Sequence, residues 1–260
     1  MIKLGSQEVT KIMKGSQEIT TVYNGSDNVW SAQGPVDFAY NSMDFRVKST
    51  TVCTGAGSAS LRLSGNWYVE YWMKATQSQE TMFLFDARSS RNESAATIYS
   101  EGGSWRLFAN GDTIMNCGSL WGTFPNQWVH VVWAKKASGT VSVYRNGVRY
   151  SKTNMGPNDL GSSQEALFST SIDSSLGLQG CYLQDLKIAR DVPDSNFPYD
   201  PESETCPVPT GRAKATHGTT IVMFNGTDNA SDVWKADGDG YSLRNIKPAS
   251  SAVARKDNAL

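Results

Sequence analysis

The chain is poor in the side chains that most often carry chemistry. Its 260 residues include two histidines, His130 and His217, and four cysteines, Cys53, Cys117, Cys181 and Cys206. The cysteines are far apart, with no C-x-x-C pair and no histidine nearby, so a structural zinc site is excluded by spacing. Disulfides stay open as an alternative, but free, mostly buried thiols are the expected state. Charge of one sign is also lacking: 24 Lys and Arg face 25 Asp and Glu. Without a basic patch, a nucleic-acid partner is not expected. No apolar run approaches the ~20 residues of a membrane span. The opening MIKLGSQEVTK has no apolar core of a secretory signal. The expectation is a protein that acts where it is made or is released by lysis.

Catalytic signatures are missing as well. No G-x-S-x-G elbow or Gly-rich phosphate loop leads into a helix. Asp237-Gly238-Asp239-Gly240 looks like a calcium loop but lacks the later bidentate glutamate, and reads as a turn. No cofactor is expected, and calcium has no support.

What is present is turn residues and short alternating strands. In Trp67–Met73, Trp67, Val69, Tyr71 and Met73 share one face while Glu70 and Trp72 take the other. Thr81–Asp86 is nearly continuous apolar, as expected of a strand between two layers. Trp105–Phe108 follows Gly102-Gly103. Gln127–Lys136, Thr140–Arg145 and Val148–Tyr150 are joined through Ser138-Gly139 and Asn146-Gly147, which predicts two consecutive hairpins. Pro193 to Thr210 holds five prolines and reads as irregular and extended. Thr220–Asn225 is a further strand candidate.

The first thirty residues repeat. Gly-Ser recurs at 5-6, 15-16 and 25-26, each time with a β-branched residue three places after the serine. Each unit reads as a turn followed by a short strand, such as Val9–Met13. Strands this short need a partner. Either copies of the segment in other chains supply it, through Val9, Ile12, Ile19, Val22, Tyr23, Val29 and Trp30, or the segment is a meander on the following domain. These units resemble the N-termini of tailed-phage structural proteins. That resemblance implies docking to other virion proteins, a homo-oligomer (a trimer favoured) and a place in the virion after assembly in the host cytoplasm.

A second resemblance covers the middle of the chain. WVHVVWAKKASGTVSVYRNGV (residues 128–148) resembles the W-x-H-V-A…G-x-x-x-L-Y-x-(D/N)-G segment of laminin-G-like and pentraxin-like domains. NWYVEYWMK (66–74) and GCYLQDLKIAR (180–190) resemble two further strands of that family. The implied fold is all-β, a two-sheet antiparallel jelly-roll sandwich of concanavalin or laminin-G type. The expected organisation is a docking segment over 1–34, a sandwich over 35–200, and a C-terminal extension over 201–260 with a closing strand near 219–225.

Glucanases on this fold need carboxylates spaced as E-x-D-x-E on one strand. Here Glu70 stands between Tyr68 and Trp72, while Asp185 and Asp191 read as turn or strand-end residues. No catalytic residue is assigned and an enzyme is not expected. His130 reads as a packing or hydrogen-bonding residue within its strand. A sugar-binding patch is expected at Trp105, Asn110, Asp112 and Trp121, with core packing as the competing reading for the two tryptophans. The function expected is attachment to a host-surface glycan as a tail fibre or receptor-binding component. The alternative is a capsid-decoration or head-fibre protein.

Overall fold

The computed structural model describes residues 3–4, 7–8, 12–14, 17–19, 21–24, 27–31, 37–38, 43–45, 53–54, 63–76, 81–86, 88, 97–109, 112–118, 127–156, 166–167, 177–209, 219–224 and 257–258. Strands β1 (Lys3–Leu4) and β2 (Gln7–Glu8), β3 (Ile12–Lys14) and β4 (Gln17–Ile19), and β5 (Thr21–Asn24) and β6 (Asp27–Ser31) form three separate two-stranded sheets. The pairs Leu4↔Gln7, Lys14↔Gln17 and Asn24↔Asp27 leave two residues between partners, Gly-Ser each time. The repeat is therefore a hairpin, not the expected turn followed by one strand. A two-residue connection brings flanking backbone groups together at small entropic cost, so they pair locally. Ile12 pairs with Ile19, Val22 with Trp30 and Tyr23 with Asn28, leaving Val29 as the extra residue of a bulge. Val9 lies outside the described residues.

The sandwich follows. The strands after the hairpins, of which β7 stands apart from the two sandwich sheets, are β7 (Asp37–Phe38), β8 (Met43–Asp44), β9 (Cys53–Thr54), β10 (Trp67–Ala75), β11 (Met82–Asp86), β12 (Thr97–Glu101), β13 (Ser104–Ala109) and β14 (Asp112–Asn116). Then come β15 (Trp128–Lys135), β16 (Thr140–Arg145), β17 (Val148–Asn154), β18 (Ala166–Leu167), β19 (Cys181–Arg190), β20 (Thr219–Phe224) and β21 (Asp257–Asn258). The larger, seven-stranded sheet has the order β17-β16-β15-β10-β19-β20, with β8 also paired to β19. The smaller has the order β14-β13-β12-β11-β18-β9. All pairings within both sheets are antiparallel, and β7 pairs with β21. The chain is the all-β, two-sheet antiparallel sandwich expected of it.

Alternation places the core. Trp67, Val69, Tyr71 and Met73 of β10, Val129, Val131 and Trp133 of β15, and Leu183, Leu186 and Ile188 of β19 point inward. They meet Met82, Leu84 and Phe85 of β11 and Trp105 and Leu107 of β13. Among the inward aromatics, the Trp133 indole Nε1 donates to the Tyr71 hydroxyl, 3.2 Å. Cys117 and Cys181 are buried, and neither they nor Cys206 take part in a disulfide.

β10 and β19 fall out of step once: Tyr71 faces the two residues Asp185 and Leu186, a bulge whose Asp185 has a φ of 52°. Aspartate tolerates this left-handed conformation better than most residues. The bulge keeps Gln184 and Lys187 on one face although they are three residues apart.

Candidate functional site

The outer face of the large sheet carries Tyr68, Glu70, Trp72 and Lys74 from β10, and Trp128, His130, Val132 and Ala134 from β15. β19 adds Tyr182, Gln184, Lys187 and Ala189. Apolar and polar residues mix here, yet nearly all of them are buried. The cover is the proline-rich stretch Val192–Pro209, which crosses the sheet as a strap. Its regular structure is limited to a 3₁₀ turn at Asp194–Asn196 and a bridge from Thr205 to Val148. Phe197, Tyr199 and Cys206 pack with Tyr68, Val132, Ala134 and Tyr144 into a second apolar cluster. Tyr68 meets Tyr199 edge-on at 5.0 Å between ring centroids.

The strap is tied along its length. Asn66 donates to the Val192 carbonyl (2.7 Å) and to Asp194 (2.8 Å), and its own carbonyl accepts from the Ala137 amide (2.8 Å). Ser142 donates to the Pro201 carbonyl (2.7 Å), and the Tyr144 hydroxyl donates to the carbonyls of Asp200 (2.5 Å) and Ser203 (3.0 Å). The Cys206 amide donates to the Gly147 carbonyl (2.8 Å). A Cβ on Gly147 would stand 2.7 Å from Val208, and its φ of +81° suits the Asn146-Gly147 turn, so glycine answers both the turn and the close pass of the strap.

Three acids at alternate positions add ion pairs: Asp200 with Lys136 (2.9 Å), Glu202 with Lys152 (3.1 Å), and Glu204 with Arg149. The bond from Lys136 and that from the Glu202 amide hold the Asp200 carboxyl below its ordinary range. The Thr140 hydroxyl and Lys152 do the same for Glu202. A carboxyl lowered in the fold stabilises it above its unfolded pKa, and that contribution is lost as pH falls through the folded value. Exchange protection of the Cys206 amide, corrected for intrinsic rates, should therefore fall below about pH 4 and also in high salt. Unchanged protection under both conditions would show that the ion pairs do not hold the strap.

At the centre lies a buried charge cluster. The Glu70 Oε1 atom is 3.0 Å from His130 Nε2, and both side chains are almost wholly buried. The Tyr199 hydroxyl donates to Glu70, and Lys187, paired with Glu70 across the strands, adds its charge. Burial pushes the Glu70 carboxyl up, but the His130 bond and charge, Tyr199 and Lys187 together hold it below its ordinary value. Burial pulls the Lys187 ammonium down, against the pull of Glu70, and Lys187 Nζ sits 5.4 Å from the centre of the Tyr68 ring. Burial and then Glu70 raise Tyr199 well above the usual phenol range. Glycoside hydrolysis takes a second carboxyl ~5–9.5 Å from the first. The face neighbours of Glu70 are Tyr68, Trp72, Val132 and Lys187. This arrangement locks the strap to the sheet through a charge.

Of the residues expected to bind sugar, Trp105 is fully buried between the sheets and presents no ring face to a ligand. Its alternation partner Leu107 is inward too, whereas Arg106 and Phe108 point out; the parity of β13 outweighs its closeness to a loop. Asp112 opens β14, and Asn110 and Trp121 lie outside the described residues. Sequence reasoning did not assign the Glu70, His130 and Tyr199 cluster to the strap. The available signal was that β10 is apolar at both parities, which marks a strand covered on both faces.

A two-layer antiparallel sandwich with an extra covering segment defines the class as a lectin-like β-sandwich. The model of the concanavalin A-like lectin/glucanases superfamily matches residues 47–189, more than half of the chain, and the chain belongs to that family. No curated protein matches the chain by sequence. Among solved structures, a SAP-like pentraxin from Limulus polyphemus is similar at 16% identity and a TM-score of 0.42, covering 58% of this chain and 76% of that one. The receptor binding domain of botulinum neurotoxin D is similar at 13% identity and a TM-score of 0.39, covering 52% and 36%. The serotype D ligand binding domain in complex with N-acetylneuraminic acid gives 15%, 0.38, and 49% and 33%. The chain spans about a third of the length of these toxin chains.

Proposed function

We propose that this chain is a non-enzymatic attachment protein of a tailed-phage virion. On this reading it is a tail-fibre or receptor-binding component whose lectin-like sandwich binds a host-surface glycan. The observation that carries the reading is the division of labour along the chain. A sandwich of a lectin family follows three hairpins that, among the described residues, pair only within themselves. Isolated hairpins are marginal in water, and their open edges favour pairing with other chains. Three copies would multiply weak glycan contacts into useful avidity.

The test is sedimentation and glycan-array binding of the full chain beside a variant lacking residues 1–34. The expected result is a trimer for the full chain and a folded monomer for the truncation, with array binding weakened about 100-fold or more. A truncation that stays trimeric sinks the docking role of the hairpins. Gold labelling of virions then places the protein: label on tail fibres supports host recognition, and label over the head turns the reading to a decoration protein.

A further inference from the structure

The strap hydrogen-bonds to one half of the face it covers and leaves three buried polar atoms of the other half without a hydrogen bond. Near its start and middle, Glu70, Ser142 and Tyr144 all hydrogen-bond to it. Towards its end, Trp128 Nε1, His130 Nδ1 and Gln184 Nε2 are buried and make no hydrogen bond. These three groups share one neighbourhood. His130, Trp72 and Gln184 stand abreast on β15, β10 and β19, and Trp128 is in the adjoining row with Lys74 and Tyr182. The Trp72 and His130 rings lie 5.0 Å apart. Val208, close to the end of the strap, packs on the Trp72, Trp128 and Tyr182 rings.

Buried polar groups left unpaired weigh against a fold, and three together point to a chemistry that the strap does not supply. The identity of that chemistry follows from the donors and acceptors. Trp128 Nε1 and Gln184 Nε2 can only donate. His130 Nε2 faces the Glu70 carboxylate, so Nδ1 donates when the ring carries the charge that helps hold Glu70 down and accepts when the ring is neutral. A carbonyl or carboxylate answers all three only when Nδ1 donates, whereas hydroxyls answer all three in either state of the ring. Adjacent hydroxyls, with an apolar C–H face to lie on the Trp72 and Trp128 rings, describe a pyranose sugar.

We propose that this face is a saccharide site closed by the Val208 end of the strap, which lifts to admit one sugar ring. The proposal rests on the glycan-binding reading above and assigns it a place. The probes are galactose, glucose, N-acetylglucosamine and N-acetylneuraminic acid, titrated into the full chain while the indole N–H resonance of Trp128 is followed by NMR. The expected result is that one of them shifts that resonance saturably. Trp128→Phe, which keeps an aromatic ring, and Gln184→Met, which keeps the length of the side chain, both remove a donor and should each weaken that sugar about fivefold or more in calorimetric titration, which does not depend on the Trp128 resonance. Val208→Gly, which thins the cover, should tighten it. A sugar that binds without moving the Trp128 resonance, and equally well to both donor variants, overturns this site and leaves the glycan reading standing. If none of the sugars binds the full chain or Val208→Gly, the three groups are merely hydrated; this site is overturned, and the glycan reading then depends on the array.

Discussion

His130→Leu is expected to lower the stability of the chain by ~3–5 kcal/mol, because it leaves a carboxylate buried without its principal partner. Glu70 sits under the strap with His130 Nε2 at 3.0 Å, and burial alone raises its carboxyl. Without the imidazole, Tyr199 and Lys187 are left to oppose that rise. Two further outcomes separate this cause from simple loss of volume. First, Glu70→Gln in the His130→Leu background removes the stranded charge and keeps an acceptor for Tyr199, so the double variant should be more stable than His130→Leu alone. Second, the wild-type carboxyl is lowered, so its stabilising contribution is present above its unfolded pKa and lost as pH falls through the folded value. The gap between wild type and His130→Leu should therefore narrow below about pH 4. Urea unfolding at pH 7 and at about pH 3 reads all three. A gap that does not change with pH would mean that packing, not charge, explains the loss.

The same cluster shows what sequence reading reaches and where it stops. Alternation in β10, β15 and β19 assigns each side chain to a face, since that property belongs to the strand itself. Asn146-Gly147 is equally legible, because a two-residue hairpin sets its own backbone demands. The strap was read as proline-rich and irregular, which it is. What it covers depends on contacts about 60 to 130 residues away, such as Tyr144 with Ser203 and Asn66 with Val192, and no local pattern encodes them. The apolar residues at both parities of β10 announce a second cover without naming it. The hairpins illustrate another limit. Gly-Ser periodicity marks the turns, but whether a strand pairs backward across its own turn or forward to the next unit is decided by loop closure.

Trp105→Ala is expected to lose ~3–5 kcal/mol of stability, the range for truncating a large buried aromatic. For a chain of this size that corresponds to a fall in melting temperature on the order of 10 °C. The indole is fully buried in the main core, and the residue is held at both backbone ends: its amide donates to the Gly118 carbonyl and its carbonyl accepts from the Cys117 amide, each at 2.8 Å. The cavity would open between the sheets, where Met115 and Leu107 are fixed by their own strands and cannot collapse freely. Trp105→Phe should cost much less, since most of the volume remains. Calorimetry measures the loss, and glycan-array binding of the folded fraction below the new transition measures function. Binding retained in that fraction agrees with a tryptophan that packs the core. A variant with wild-type melting temperature and no sugar binding would instead return Trp105 to the ligand surface and contradict its place between the sheets.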